Sequence, residues 1–222
     1  MTYYHNKLKK IKNHGSISFI KIKYNKKNII LKLVDESDET INLLYAWRKK
    51  YRKMFATDFR MSKEKTRNWV KKIILENSTR ILFIIYVDNK KIGSIGTAVY
   101  NDKTNTANLD TMMKDPNYTY PGIMMVVEKV YLKWMFDGLK LSKITGFLFS
   151  DNIKMMNLHK MCGFTIVDKI PLKHVITNDG SGWEKIESKP YNEIAERYFN
   201  LIELTRENLM KNFGKIEFKV LK

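Results

Sequence analysis

From Ser16 to Tyr24 apolar and polar residues alternate: Ile17, Phe19, Ile20 and Ile22 sit among Ser18, Lys21 and Lys23, and a second alternating run covers Asn28–Val34. A period near two marks a half-buried strand, and Asn25-Lys26-Lys27 between the runs suits a hairpin turn. The period then lengthens. Ile41, Leu44, Tyr45 and Arg48 follow helical spacing after the acidic turn Asp35–Asp38, whose charge favours a helix N-terminus. Ser62-Lys63-Glu64-Lys65 reads as another helix start, with Trp69, Val70, Ile73 and Ile74 as its apolar face. Arg80–Val87 and Ile92–Tyr100 predict two strands joined at Asp88–Lys91, and a third follows near Thr106–Met113. Ile123, Val127, Val130 and Trp134 form the stripe of a long helix ending at Gly138. Strands are predicted again at Lys143–Ser150, at Thr165–Ile170 with an extension towards Ile176, and at Trp183–Ser188 after the turn Asn178–Gly182. Pro190 breaks that pattern, and Tyr191–Phe213 has helical spacing through Ile194, Tyr198, Leu201, Ile202, Thr205 and Leu209.

This order predicts an α+β fold in which one strand–helix–strand crossover sits inside a mostly antiparallel sheet. Residues 1–15 are polar, basic and without a period, and read as a loose N-terminal arm. Residues 16–190 form one domain in this reading, and 191–222 a C-terminal helix and tail packed on it.

Composition narrows the class. A chain with 44% hydrophobic residues is globular rather than disordered. Cys162 is the one cysteine, so no disulfide forms within the chain and a reducing, cytoplasmic location fits. No apolar run is long enough to cross a bilayer, and the first residues lack the apolar core of a signal peptide, so no membrane association is expected. The formal charge of +18 admits three readings: lysine-rich composition alone, small ligands bearing several phosphates, or nucleic acid.

Ser150–Phe164 is the stretch with the most chemistry. Asn152 can cap a helix, because its side-chain oxygen accepts from an orphan backbone N–H, and Gly163 can end that helix in a left-handed conformation. Asn152 and His159 are seven residues apart, close to two turns, so an amide and an imidazole share one helical face.

Asp151-Asn152 followed by Leu158-His159-Lys160-Met161-Cys162-Gly163-Phe164 resembles the "N…LYEKLGF" ending of the GNAT superfamily of N-acetyltransferases, and the element order over about residues 29–188 is similar too. Ala46-Trp47-Arg48, the aromatic-basic loop after it, Ser62-Lys63-Glu64 and Trp69 resemble the branch that acetylates nucleotide-linked amino sugars. The resemblance implies acetyl-CoA as cosubstrate, no metal, and direct attack of an amine on the thioester. It places His159 where the family usually has a tyrosine that protonates the departing thiolate, and an imidazolium can do the same. Asn152 and Met155 would meet the pantetheine arm. Backbone donors at Thr111, Met112 and Met113 would polarise the thioester carbonyl. The phosphate cradle falls on Tyr120, Gly122, Ile123 and Met124, at a helix N-terminus. Here the family pattern Q/R-x-x-G-x-G/A becomes Thr119–Met124, with one glycine kept and Met124 in place of a tiny residue. Asp110 and Glu128 are candidate bases. Trp47, Arg48, Tyr51, Phe55, Phe59 and His174 are candidate substrate contacts, since rings flanked by cations suit a base and a diphosphate.

The expected activity is acetyl transfer to a nucleotide-linked amino-deoxy sugar. A homodimer through edge strands or the last helix is also expected, and nucleic acid is not. The alternatives are an acetyltransferase for protein N-termini or lysines, and a non-catalytic module of the same fold that binds nucleic acid.

Overall fold

The computed structural model of the chain describes residues 2–15, 18–178, 180–186 and 195–221; the side chains of Ser18, Phe59 and Thr177 lie outside that description. Its strands are β1 (Ser18–Tyr24), β2 (Lys27–Leu33), β3 (Thr57–Phe59), β4 (Ile81–Val87), β5 (Lys90–Asn101), β6 (Thr106–Lys114), β7 (Lys143–Phe149), β8 (Thr165–Thr177), β9 (Gly180–Lys185), β10 (Arg197–Leu204) and β11 (Glu217–Val220). Its α-helices are α1 (Tyr3–Asn13), α2 (Asp38–Lys50), α3 (Lys63–Asn68), α4 (Ile123–Gly138), α5 (Ile153–Cys162) and α6 (Arg206–Phe213). A short 3-10 turn covers Arg52–Met54, and α3 runs on into a π-helical stretch, Trp69–Leu75.

All strands join one sheet in the order β11-β1-β2-β4-β5-β6-β7-β10-β8-β9-β3. The described neighbours pair antiparallel except β6 and β7, which run parallel across the α4 crossover. Helices cover both faces, so a central strand is apolar throughout. Ile81, Phe83, Ile85 and Val87 of β4 face the main core with α1, α4 and α6, while Leu82 and Ile84 face a second core with α2 and the π-helical stretch.

The α+β class with its mostly antiparallel sheet is as expected; the two ends of the chain differ from their reading. The N-terminal arm is a helix. Thr2 caps α1, and Tyr4, Leu8 and Ile11 are buried on one side of it. Tyr4 stacks on Tyr100 with ring centroids 3.9 Å apart, and Lys12 Nζ donates to the carbonyls of Ile74, at 2.6 Å, and of Asn77. Three apolar anchors in eleven residues were hidden by the lysines between them. At the other end, Arg197–Leu204 is a strand, and Arg206–Phe213 is the helix among the described residues. Within β10, Asn200, Ile202 and Leu204 are buried in alternation, a period of two that also fits helical spacing when read with its neighbours. The strand inserts between β7 and β8 and pairs with both. The expected strand continuation to Ser188 and helix start at Tyr191 lie outside the described residues.

Candidate active site

The parallel pair sets up the site. β6 and β7 are hydrogen-bonded only at Thr106–Asn108 with Lys143–Thr145. Beyond that register the two strands no longer pair with each other, while β6 keeps β5 and β7 keeps β10 on its other edge. The sheet therefore splits towards the carboxyl ends of the two strands. In a strand–helix–strand unit the helix N-terminus lies at that same end, which is where ligands bind in open sheets. The N-termini of α4 and α5 both follow those strand ends.

On the β6 side of the split the strand bulges. Ser94 pairs with Met113 and Gly96 with Asp110, so β6 spends one extra residue there. Thr111 takes that strain: its φ is 50°, a left-handed backbone that β-branched residues rarely adopt. Its carbonyl accepts from Ser94 Oγ at 2.9 Å. Met113 is buried in the second core, and Met112 is half-buried against the main one.

At the mouth of α4, Gly122 has φ 76°, and the helix start has no side-chain cap. Its first backbone donors are left for an anion. A Cβ on Gly122 would sit 2.5 Å from the Tyr24 hydroxyl, so a side chain there meets an unfavourable backbone and would also displace that tyrosine. The β1–β2 turn thus closes over this mouth, with Tyr120 Oη donating to the Asn25 carbonyl at 3.4 Å and Lys27 Nζ 5.7 Å from the Tyr120 ring centre. Tyr24 and Lys27 were not anticipated as site residues, because nothing in a hairpin turn announces which helix it will meet. Ile123 is core, and Met124 is half-buried against the main core, which accommodates the large residue at that position.

On the β7 side, Asn152 Oδ1 accepts from the Met155 backbone N–H at 3.4 Å and caps α5. Met155 is half-buried on the main core. Gly163 ends the helix at φ 102°, and a Cβ there would meet the Asn208 carbonyl at 2.6 Å, so α6 docks directly on this cap. His159 is only 6% exposed and Glu128, on α4, is 0% exposed. His159 Nδ1 and Glu128 Oε1 are 2.5 Å apart, and the imidazole lies 5.2 Å from the Phe164 ring. One carboxylate oxygen of Glu128 is thus engaged by the histidine, and the group is buried between α4 and α5. Cys162 is buried beside it, and burial first, then the Glu128 charge, pushes its thiol far above the usual range.

A third group of residues comes from α2, the segment after it, β6 and the β8–β10 region. The Arg48 guanidinium lies 4.3 Å from the centre of the Phe55 ring; burial pushes its pKa down, and nearby Asp110 acts against that. Asp110 Oδ2 is 3.5 Å from Arg80 Nη1, which gives it a charge-balancing place rather than that of an unpaired base. Tyr51 Oη donates to the Lys114 carbonyl at 2.9 Å, tying the end of α2 to β6. Trp47 differs from its expected role: it is buried in the second core with Val34, Ile41 and Leu44 and presents no surface to a substrate. Arg48, the next residue, lies about 100° further round the helix and is half-buried, while Trp47 faces the core. His174 is exposed on β8, 5.1 Å from Trp183, and the Phe59 side chain lies outside the described residues. Arg197 was not foreseen. It stands 3.3 Å from the Phe149 ring centre, clasps Asp151 at 2.8 Å and donates to the Lys53 carbonyl at 3.1 Å, joining β10, β7 and the loop after α2. Among the described residues no group of His, Cys, Asp or Glu is placed to hold a metal, and no helix is long and apolar enough to cross a membrane.

This architecture has known counterparts. Residues 28–165 match the family model described as an acetyltransferase (GNAT) domain. The chain belongs to the GNAT acetyltransferase family. It is an acyltransferase of that family, and acetyl-CoA is its cosubstrate. No curated protein sequence matches it. Solved structures similar in fold include the spermidine N-acetyltransferase of Vibrio cholerae in complex with CoA and spermine, at 15% identity and TM-score 0.63, covering 82% of this chain and 98% of that one. The same enzyme as a dodecamer in an intermediate state gives 14% identity and TM-score 0.62 over 84% and 98%. A putative acetyltransferase gives 12% and 0.62 over 87% and 90%.

Proposed function

We propose that this GNAT enzyme acetylates the amine of an anionic acceptor, a nucleotide-linked amino-deoxy sugar. The observation that carries the reading is the charge balance beside the split. Arg48 stacks on Phe55, and Asp110 near it is paired with Arg80; elsewhere Asp58 is paired with Arg52 at 3.8 Å and Asp151 with Arg197. A diphosphate and a base are complementary to stacked rings and guanidinium groups. A polyamine, such as the spermine bound to the Vibrio cholerae spermidine N-acetyltransferase, instead calls for unpaired carboxylates. That likeness is one of fold at 15% identity, and it does not transfer the substrate.

In this reading the acceptor nitrogen attacks the thioester carbon. The C–N bond forms, the C–S pair leaves on sulfur, and His159 gives a proton to the thiolate while the acylated nitrogen loses one to water. Backbone donors around the Thr111 bulge stabilise the oxyanion, and the α4 mouth at Gly122 holds the pyrophosphate.

The test is CoA release from acetyl-CoA with three kinds of acceptor: UDP- and dTDP-linked amino sugars, spermidine, and lysine or free-N-terminus peptides. Turnover of an amino sugar supports the reading. Turnover of spermidine alone, or of peptide alone, replaces it.

A further inference from the structure

We infer that Glu128 is a positioning residue for His159: from inside the fold it fixes which ring nitrogen exchanges a proton with the sulfur of CoA. This rests on the reading of His159 as the proton donor. Glu128 sits on α4, six residues in from Gly122, and His159 on α5, seven in from Asn152; at about 1.5 Å per residue each is roughly 10 Å from its helix mouth. The two helices pack together and bring Glu128 Oε1 within 2.5 Å of Nδ1, with both side chains out of water. A carboxylate accepts and does not donate, so the contact holds a proton on Nδ1 and leaves Nε2 as the ring atom open to exchange.

The surroundings leave this carboxylate few other partners. Its Oε2 has no hydrogen bond among the described residues. On α5, the buried Cys162 thiol faces the same carboxylate as a weak hydrogen-bond donor. On α4, Lys129 points its ammonium at the Asn212 carbonyl of α6. The ring of Phe164 packs on the imidazole from the strand that follows. The basic side chain in contact with Glu128 is His159. A buried carboxylate with one such partner is a weak source of stability, whereas it is an effective way to fix a tautomer. In the step, the Nε2 proton moves to the departing thiolate. The ring remains neutral with Nδ1–H still on Glu128, and Nε2 is reprotonated from solvent once CoA leaves.

The experiment uses the full chain with acetyl-CoA and whichever acceptor it turns over. Glu128→Gln should lower kcat by about 10²-fold, the scale of a positioned proton transfer, while the KM for acetyl-CoA stays near its original value. In a His159→Tyr background, which restores the residue usual in the family, the same Glu128→Gln change should cost nothing further. Equal losses in both backgrounds would overturn the inference. Nitrogen NMR of labelled histidine in the unaltered protein is decisive even if the variant does not fold: Nδ1 should carry a proton, and an unprotonated Nδ1 refutes it. If His159→Ala keeps full turnover, the reading of His159 itself fails. If His159→Ala is impaired and Glu128→Gln is not, only the role of Glu128 fails.

Discussion

The imidazole of His159 and the carboxylate of Glu128 meet 2.5 Å apart between α5 and α4, one 6% exposed and the other fully buried. Replacing His159 by Ala should therefore act on the chemical step. Turnover is expected to fall by about 10²- to 10⁴-fold, with CoA affinity by titration calorimetry held, because the interaction develops in the transition state. A matched loss of CoA affinity would make the residue structural.

Gly122 predicts a coupled loss of stability and cosubstrate binding. Gly122→Ala places a side chain at φ 76° and drives its Cβ to 2.5 Å from the Tyr24 hydroxyl. The backbone conformation alone costs roughly 1–2 kcal/mol. Thermal melts with and without CoA should show a lower midpoint and a smaller shift on adding CoA. Adding Tyr24→Ala should recover part of the first effect.

Arg48 and Trp47 are adjacent in sequence and separate in effect. Trp47→Ala should cost about 3–5 kcal/mol of stability, as a large buried ring does, and show it in denaturant unfolding. Arg48→Met should leave most of the stability and raise the acceptor KM, with a weaker salt dependence than the unaltered enzyme.

Lys12 gives a pH signature. Burial lowers its pKa to about 8, against 10.5 for the ordinary side chain. Between those values the unfolded chain binds the extra proton, so the contribution of this group to stability rises as pH increases from about 8 to 10.5. Melting midpoints across that window should rise relative to those of Lys12→Met, which lacks the titration. A parallel pair of curves would contradict the burial of this lysine.

Cys162 offers a probe of unfolding. Its thiol is buried and pushed strongly upward. Alkylation of the native protein near neutral pH should be slow and limited by opening of the α5–α6 packing, and should become fast in denaturant.

Much of this was legible from residue order. The hairpins at Asn25 and Asp88, the α4 stripe and the caps at Ser62, Asn152 and Gly163 stand where local chemistry puts them. The Asn152–His159 helix was also visible, because capping and glycine termination are short-range effects. The partner of His159 was legible only as one of two candidate bases. Which carboxylate reaches the ring depends on how α4 crosses α5, and spacing along one helix does not contain that. Trp47 was misplaced for a related reason: an aromatic beside an arginine looks alike whether it faces solvent or core. β10 was lost because Ile202, Leu204 and their neighbours satisfy periods of two and of about 3.6 at once.

The insertion of β10 also governs when the enzyme can come into being during synthesis. β7 and β8 are made well before the strand that joins them, so on the ribosome both carry open edges until residue 204 has emerged. Arg197, at the head of that late strand, then clasps Asp151 and the Lys53 carbonyl. This side of the sheet is thus latched late, and a nascent chain stopped short of it would expose open strand edges to chaperones and proteases.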